Sequence, residues 1–357
     1  MSQNHNPRGQ GLSFPVGKLP AEELARMLAQ HTRQDERVVV MPGIGKDATV
    51  ISFTDRYLVA KTDPITLATD QSGWYAVHVN ANDVAAMGGI PRWFLATLLL
   101  PEGKTGPEEV EAIFAQISGA CQEVGAVLCG GHTEITHGLE RPIVVGQMLG
   151  EVEKAKLIDP EKARPGDVIL MTKGIAVEGT AILSRERMDL LERFGEEWVR
   201  RCQNFLRVPG ISIVREARIA NDIAEVHAMH DPTEGGLATG LHELAYAAQV
   251  GMLVEREKII ILPETALLCR QLQLDLLGLI ASGALLIVSP PGHSARILSA
   301  LEAEGIRASV IGKIWEKEKG VKLMQDGRVE DLPFFQRDEL ARFLADSPQR
   351  HRGHGEK

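Results

Sequence analysis

Asn80-Ala81-Asn82-Asp83-Val84-Ala85-Ala86-Met87-Gly88-Gly89 sets a carboxylate inside a run of small apolar residues. Such a stretch reads as a closely packed helix that stops at the glycine pair. A carboxylate there wants a partner, because burying an unpaired charge is costly. Three more aspartates stand beside small or glycine-rich stretches. They are Asp47 in Gly43-Ile44-Gly45-Lys46-Asp47-Ala48-Thr49-Val50, Asp63 in Lys61-Thr62-Asp63-Pro64, and Asp231 in His230-Asp231-Pro232-Thr233-Glu234-Gly235-Gly236. Glycine lets the backbone approach a bulky anion closely. Carboxylates repel a polyphosphate until hard cations sit between them, and Mg²⁺ is held by a few carboxylates, waters and phosphate oxygens. The four aspartates together read as a metal–nucleotide site assembled from dispersed loops. Taken singly, Asp47 also fits a turn cap, and Asp231 before Pro232 fits a turn or helix cap.

The chain has 357 residues, enough for two domains, and its 44% hydrophobic content supports a sizeable core. A net charge of −9 argues against a nucleic-acid footprint. An acidic protein that binds ATP must neutralise it locally, which again points to metal. Cys121, Cys129, Cys202 and Cys269 show no zinc spacing, and Cys121 and Cys269 fall in helix-like apolar patterns that suit buried free thiols. No apolar run is long enough to span a membrane. The segment Met1 to Gln10 is polar and lacks the apolar stretch of a signal peptide, so the cytoplasm is the expected location. Ser347 to Lys357 reads as a polar tail.

Along the chain, a first helix is expected over Leu19–Gln30, with Pro20 opening it and Glu22 and Glu23 in its first turn. Thr49–Phe53 and Tyr57–Lys61 read as a hairpin, Trp74–Met87 as a helix, and Trp93–Leu100 as a strand. Pro107–Val124 is the clearest helix, with Val110, Ile113, Phe114, Ile117 and Cys121 on one face and Gly125 as its stop. Val127–Cys129 reads as a short strand feeding a Gly130-Gly131-His132-Thr133-Glu134 loop, and Ile143–Val152 as another strand. Asp159–Asp167, with two prolines and mixed charge, marks a domain boundary. Strands and helices alternate again beyond it, so each half reads as an α/β or α+β layer structure.

Other motifs say less. A glycine pair such as Gly130-Gly131 lets N–H groups face an anion, and glycine pairs are also common in turns. Gly174 to Gly179 lacks the Gly-Lys-Ser/Thr ending of a P-loop. Lys18 follows Gly17 ahead of the first helix and, without context, is a surface lysine.

Five strings in order carry a resemblance: Gly17-Lys18-Leu19-Pro20, His78-Val79-Asn80-Ala81-Asn82-Asp83, Gly89-Ile90-Pro91-Arg92-Trp93-Phe94, Glu178-Gly179-Thr180-Ala181-Ile182-Leu183, and Asp231-Pro232-Thr233-Glu234-Gly235-Gly236. Over roughly residues 17 to 313 the chain resembles the superfamily of aminoimidazole ribonucleotide (AIR) synthase, most strongly its hydrogenase-maturation carbamoyl dehydratase branch. The resemblance implies a two-domain α/β (α+β) fold. In it, the N-terminal domain pairs its sheet with that of a second subunit, and a C-terminal α/β domain follows. It implies ATP in a cleft, Mg²⁺ on Asp47, Asp63, Asp83 and Asp231, Lys18 on the phosphate side, and Asn82, Gly130 and Gly131 lining the phosphates. His132 and Glu134 are candidates for acid–base chemistry or substrate contact, and equally for structural hydrogen bonds.

There are departures. The dehydratase's reacting cysteine stands in a short C-terminal tail, whereas the last cysteine here is Cys269. His132 stands where an aspartate usually follows the glycine pair, and Lys46 stands where an acid is common before Asp47. That lysine would soften repulsion around a metal or contact phosphate. The expected organisation is a segment and first helix at 1–34, an ATP-binding domain at 35–158, a second domain at 159–330 and a tail at 331–357. The expected function is a homodimeric Mg-ATP-dependent enzyme that activates a substrate oxygen by phosphoryl transfer, in hydrogenase or other metallocentre maturation, with a possible maturation partner protein. Its substrate is open. The alternatives are a small-molecule kinase resembling thiamine-monophosphate kinase, or a non-catalytic ATP-binding maturation partner.

Overall fold

The computed structural model describes residues 19–66, 70–187 and 189–346. Lys18 lies outside the described residues. The first half runs α1 (Ala21–His31), β1 (Val38–Val40), β2 (Thr49–Phe53), β3 (Arg56–Ile65), α2 (Ser72–Ala86), β4 (Ile90–Pro101), α3 (Pro107–Val124), β5 (Val127–Thr136) and β6 (Ile143–Glu153). Its six strands form one sheet in the order β1-β2-β3-β6-β4-β5. The spine is the antiparallel β3–β6 ladder, unbroken from Arg56↔Glu153 to Ile65↔Val144. β4 and β5 run parallel, joined by the crossover helix α3. That helix is bounded where the sequence says: Pro107 opens it, Glu108 and Glu109 stand in its first turn, and Gly125 closes it in a left-handed conformation at φ 73°.

Helix α2 is buried nearly all round. Its small residues let it lie close on β6. A side chain at Gly146 would come within 2.5 Å of Asn80 Nδ2, and one at Gly150 within 2.4 Å of Val84 Cγ1. One face of α2 therefore rests on the first sheet, and the other is covered by the second half of the chain. Ala85 and Ala86 share a core with Leu170, Ile213, Ala217 and Ile287. Trp74 and Tyr75 share one with Val177, Ala181, Phe205 and Ile211.

The second half runs β7 (Val168–Thr172), α4 (Val177–Glu186), α5 (Leu190–Phe194), α6 (Glu196–Gln203), α7 (Val214–Ile223), β8 (Ala228–His230), α8 (Gly236–Ala248) and β9 (Gly251–Glu255). It continues with α9 (Pro263–Leu272), β10 (Leu286–Ser289), α10 (Pro291–Ala303), β11 (Ala308–Trp315), β12 (Val321–Gln325), β13 (Arg328–Asp331) and α11 (Glu339–Asp346). Its seven-stranded sheet has the order β13-β12-β9-β11-β7-β10-β8.

Four expectations change. Pro20 is the N-cap of α1 and not its first residue. β3 runs on to Ile65, so Asp63 is a strand residue. Gly130 to Glu134 is the middle of strand β5, because the parallel ladder with β4 continues through Pro101↔Thr136. The stretch 332–346, read as tail, packs back on the second half of the chain, with Leu332 buried in the core on the second sheet and Leu340 buried among residues of α4, α6 and α9. Among the described residues no helix is long and apolar enough to cross a membrane.

Candidate functional site

Asp47, Asp83 and Asp231 come together where the two halves of the chain meet. Each is buried, and each offers a carboxylate oxygen within 4.8 Å of the other two. Asp47 ends the glycine loop before β2, Asp83 sits on α2, and Asp231 follows β8. Only two of the three are therefore on loops. Helix α2 can carry the third because its small neighbours allow the second half of the chain to close over it. Gly45 brings the first loop in. Its φ is +70°, and a Cβ there would stand 2.2 Å from the Glu243 carbonyl oxygen of α8.

Charge at this place is uneven. Lys61 of β3 holds its ammonium 3.1 Å from Asp83 Oδ2 and 3.5 Å from Asp63 Oδ2. Burial opposes the Lys61 charge, but Asp83, then Asp63 and Asp47, outweigh it and hold its pKa above the usual lysine range. Burial pushes the Asp83 carboxyl up to about 7 against the pull of Lys61, with Asp47 and Asp63 adding to the rise. Asp231 is also raised well above the usual carboxylate range, by burial first and then by Asp83 and Asp47. Both of its oxygens, and Oδ2 of Asp47, are buried with no hydrogen-bond partner. Asp47 Oδ1 is occupied by His230 Nδ1 at 2.7 Å, and His230 Nε2 faces Glu243 Oε2 at 3.2 Å.

The other expected residues are placed as follows. Asp63 stands beside Lys61 with its side chain 39% exposed, so it sits at the rim and outside the buried trio. Asn82 Nδ2 donates to the Ile211 carbonyl at 2.8 Å, and Asn82 Oδ1 accepts from Ile213 N–H at 2.9 Å, so its amide is spent across the domain boundary. Lys46 pairs with Glu161 at 2.7 Å. His132 Nε2 lies 3.1 Å from Glu134 Oε2, both exposed on β5. Gly130 is exposed on the same strand, and Gly131 packs on the Ala96 backbone. Lys61, His230 and Glu243 were not singled out from the sequence. The signal was there for two of them: His230 adjoins Asp231, and Lys61 is two residues from Asp63, hence on the same strand face.

A mixed sheet with a buried crossover helix, a second α/β layer closing over it, and a carboxylate trio at the junction define a two-domain α/β protein with an acidic interdomain site. The chain belongs to the AIR synthase related family: residues 45–152 match its N-terminal domain and residues 164–324 its C-terminal domain. Among curated proteins it is similar to a putative hydrogenase expression/formation protein of Methanocaldococcus jannaschii, 29% identical over 80% of this chain and 85% of that one. It is also similar to the carbamoyl dehydratase HypE of Cupriavidus necator, 28% identical over 79% of this chain and 77% of that one. Among solved structures it shares its fold with hydrogenase maturation protein HypE in complex with ATP, with a TM-score of 0.68 at 22% identity, covering 88% of this chain and 91% of that one. A structure titled AaThiL complexed with AMPPCP and TMP has the same fold, with a TM-score of 0.67 at 22% identity, covering 87% of this chain and 96% of that one.

Proposed function

We propose that the chain is a Mg-ATP-dependent enzyme that activates a substrate oxygen by phosphoryl transfer, in the maturation of a hydrogenase or another metallocentre. One observation carries this reading: three buried carboxylates point oxygens at one another within 4.8 Å, and both oxygens of Asp231 have no partner. Carboxylates do not gather in a dry interior unless positive charge joins them; Lys61 stands beside Asp83 and His230 beside Asp47, while both oxygens of Asp231 are left without a partner. A donor set made only of carboxylate oxygens fits a hard cation such as Mg²⁺.

Asp47, Asp83 and Asp231 would hold the ion, with Asp63 at the rim. When bound, Mg²⁺ supplies charge neutralisation and orientation for phosphate groups. The chain's own residues set the rest. His230 takes one oxygen of Asp47 and leaves the other for the site. Lys61 favours the ionised form of Asp83. Asn82 ties α2 to the 211–213 segment and so fixes the position of its neighbour Asp83. Lys18, Gly130 and Gly131 belong to the proposal as phosphate contacts, and His132 and Glu134 as groups for proton transfer or substrate contact.

The maturation role is supported by the names of the similar curated proteins, a hydrogenase expression/formation protein and a carbamoyl dehydratase. A homodimer is part of the reading. β5 is an edge strand with Val127 60% and Ile135 57% exposed, which suits pairing with a second copy. The test is calorimetric titration of ATP and a non-hydrolysable analogue with and without Mg²⁺, on wild type and Asp83→Ala. Metal-dependent binding lost in the variant is expected, and binding unchanged by removal of Mg²⁺ would sink the proposal. With a candidate acceptor, a stable phosphorylated product would point to kinase chemistry instead of dehydration or cyclisation.

A further inference from the structure

Lys61 and Asp63 are two residues apart on β3 and share its face with Val59 and Ile65, both buried in the core under α2. Asn80 Nδ2 donates to the Asp63 carbonyl at 3.3 Å and to the Ala76 carbonyl at 2.8 Å, which ties α2 to β3 about one turn before Asp83. The Lys61 ammonium is thereby set between carboxylates of two elements. It lies 3.1 Å from Asp83 Oδ2 on α2 and 3.5 Å from Asp63 Oδ2 on its own strand. On the other side of the acidic centre, His230 Nδ1 lies 2.7 Å from Asp47 Oδ1. Asp231 is 2% exposed, and neither of its oxygens has a partner. Asp63 is not one of the carboxylates that approach one another within 4.8 Å.

A divalent ion and an ammonium cannot share one position. Mg²⁺ sits about 2.0–2.1 Å from its oxygen ligands, and the Lys61 ammonium already fills the space between the Asp83 and Asp63 oxygens. We propose that Lys61 is a built-in cation that takes the place of a second metal ion between Asp83 and Asp63, so that the acidic centre accepts one divalent ion, on Asp231 with Asp47 and Asp83. Asp63 then belongs to the lysine and not to the ion, in keeping with its place at the rim. The ammonium also repels a further cation beside the trio. It differs from a bound ion in two respects. It is a compact point charge of one unit instead of two, and being covalently attached it is not removed by a chelator. The metal-free protein therefore keeps a positive charge among its carboxylates, and only one of the cations at the site is exchangeable. The single ion rests on the metal reading of the trio above; the place of Lys61 between Asp83 and Asp63 does not.

The experiment counts the Mn²⁺ that the full chain binds without nucleotide and releases to excess Mg²⁺, by equilibrium dialysis up to millimolar ion, with thermal denaturation in parallel. Wild type is expected to take one ion and Lys61→Arg one. Lys61→Met is expected to take two, and so is Lys61→Gln, which keeps a polar side chain should the methionine variant fail to fold. Asp231→Asn is expected to take none, which locates the counted ion at the trio. In chelator, the two uncharged variants are expected to melt below wild type. Mn²⁺ is expected to raise their Tm by more than it raises that of wild type, because the added ion binds only the folded chain. A lysine with a purely structural role would lower the Tm in the same way but leave the count at one, and that result overturns the proposal. Two ions in wild type also overturn it and leave the trio standing as a metal site. An ion kept by Asp231→Asn overturns the place assigned to it. No ion in wild type overturns the proposal together with the metal reading of the trio.

Discussion

His230 Nδ1 lies 2.7 Å from Asp47 Oδ1, and its Nε2 lies 3.2 Å from Glu243 Oε2. Burial alone would discharge this ring, but Asp47 and then Glu243 outweigh it and hold its pKa well above the usual histidine range. An imidazolium between two carboxylates thus joins the first glycine loop to β8 and α8. His230→Leu leaves Asp47 charged, buried and unpaired. The expected loss is about 3–5 kcal/mol of stability, read by denaturant unfolding. A loss under about 1 kcal/mol would mean that Asp47 finds water or another partner.

Asn82 closes the same boundary from α2. Its amide serves the Ile211 carbonyl and the Ile213 N–H together. Asn82→Ala strands two backbone groups in a buried place, at about 1–3 kcal/mol each. Asn82→Asp keeps the acceptor for Ile213 but removes the donor to Ile211 and adds a charge beside Asp83. Both variants are expected to unfold at lower denaturant concentration, and Asn82→Asp is expected to weaken nucleotide binding more. Equal stability of wild type and Asn82→Ala would remove the boundary role.

These two residues also show how far the sequence could be read. Asp47, Asp83 and Asp231 were legible because aspartate beside small residues is chemically conspicuous. The limits of α3 were legible because its proline, acids and glycine act locally. Asn82 was read as a phosphate neighbour, since nothing local announces that Ile211 and Ile213 will arrive opposite it. The glycine pair was read as a turn because a close tertiary approach and a turn select glycine alike. Helix α11 was missed because its docking rests on distant partners, such as Asp338 accepting from Gly235 N–H at 2.6 Å.

The glycine pair on β5 separates those two uses of glycine. A Cβ at Gly130 would have only Leu95 Cδ2 near it, at 3.8 Å. A Cβ at Gly131 would stand 1.9 Å from the Ala96 carbonyl oxygen, on a backbone with φ +145°. Gly130→Ala is expected to leave the Tm within a degree or so, roughly the effect of a surface substitution. Gly131→Ala is expected to displace β5 from β4, lowering the Tm and speeding hydrogen exchange across Val127–Thr136. Equal behaviour of the two variants would contradict this register.

Lys173 and Glu216 form an ion pair at 2.7 Å, each side chain 5% exposed, and Lys173 also donates to the Ser212 carbonyl at 2.6 Å. Burial lowers the lysine's pKa, and Glu216 only partly restores it. Lys173→Met should cost about 3–5 kcal/mol, because Glu216 is left charged and dry. Adding Glu216→Leu should recover much of that loss. The double variant tests whether the cost lies in the stranded charge or in the lost lysine contacts, and no recovery would favour the latter.

Glu178 gives the free protein a pH dependence with a definite sign. Burial pushes its carboxyl from the ordinary 4.5 up to about 7, with Asp338 and Glu234 adding and the Ser282 hydroxyl opposing. Asp338 is itself pushed up to about 6, by burial first, against hydrogen bonds from Gly235, Leu340 and Ile280 N–H. Between the ordinary and raised values the folded chain holds a proton that the unfolded chain has released. This contribution is fully present below pH 4.5 and is lost as pH rises through about 7. The loss is at most about 1.4 kcal/mol per pH unit for each group. Unfolding midpoints measured from pH 5 to 8 without ligand should fall for wild type and fall less for Glu178→Gln. A flat profile for wild type, or one unchanged by Glu178→Gln, would show that Glu178 is already ionised and paired in the free protein.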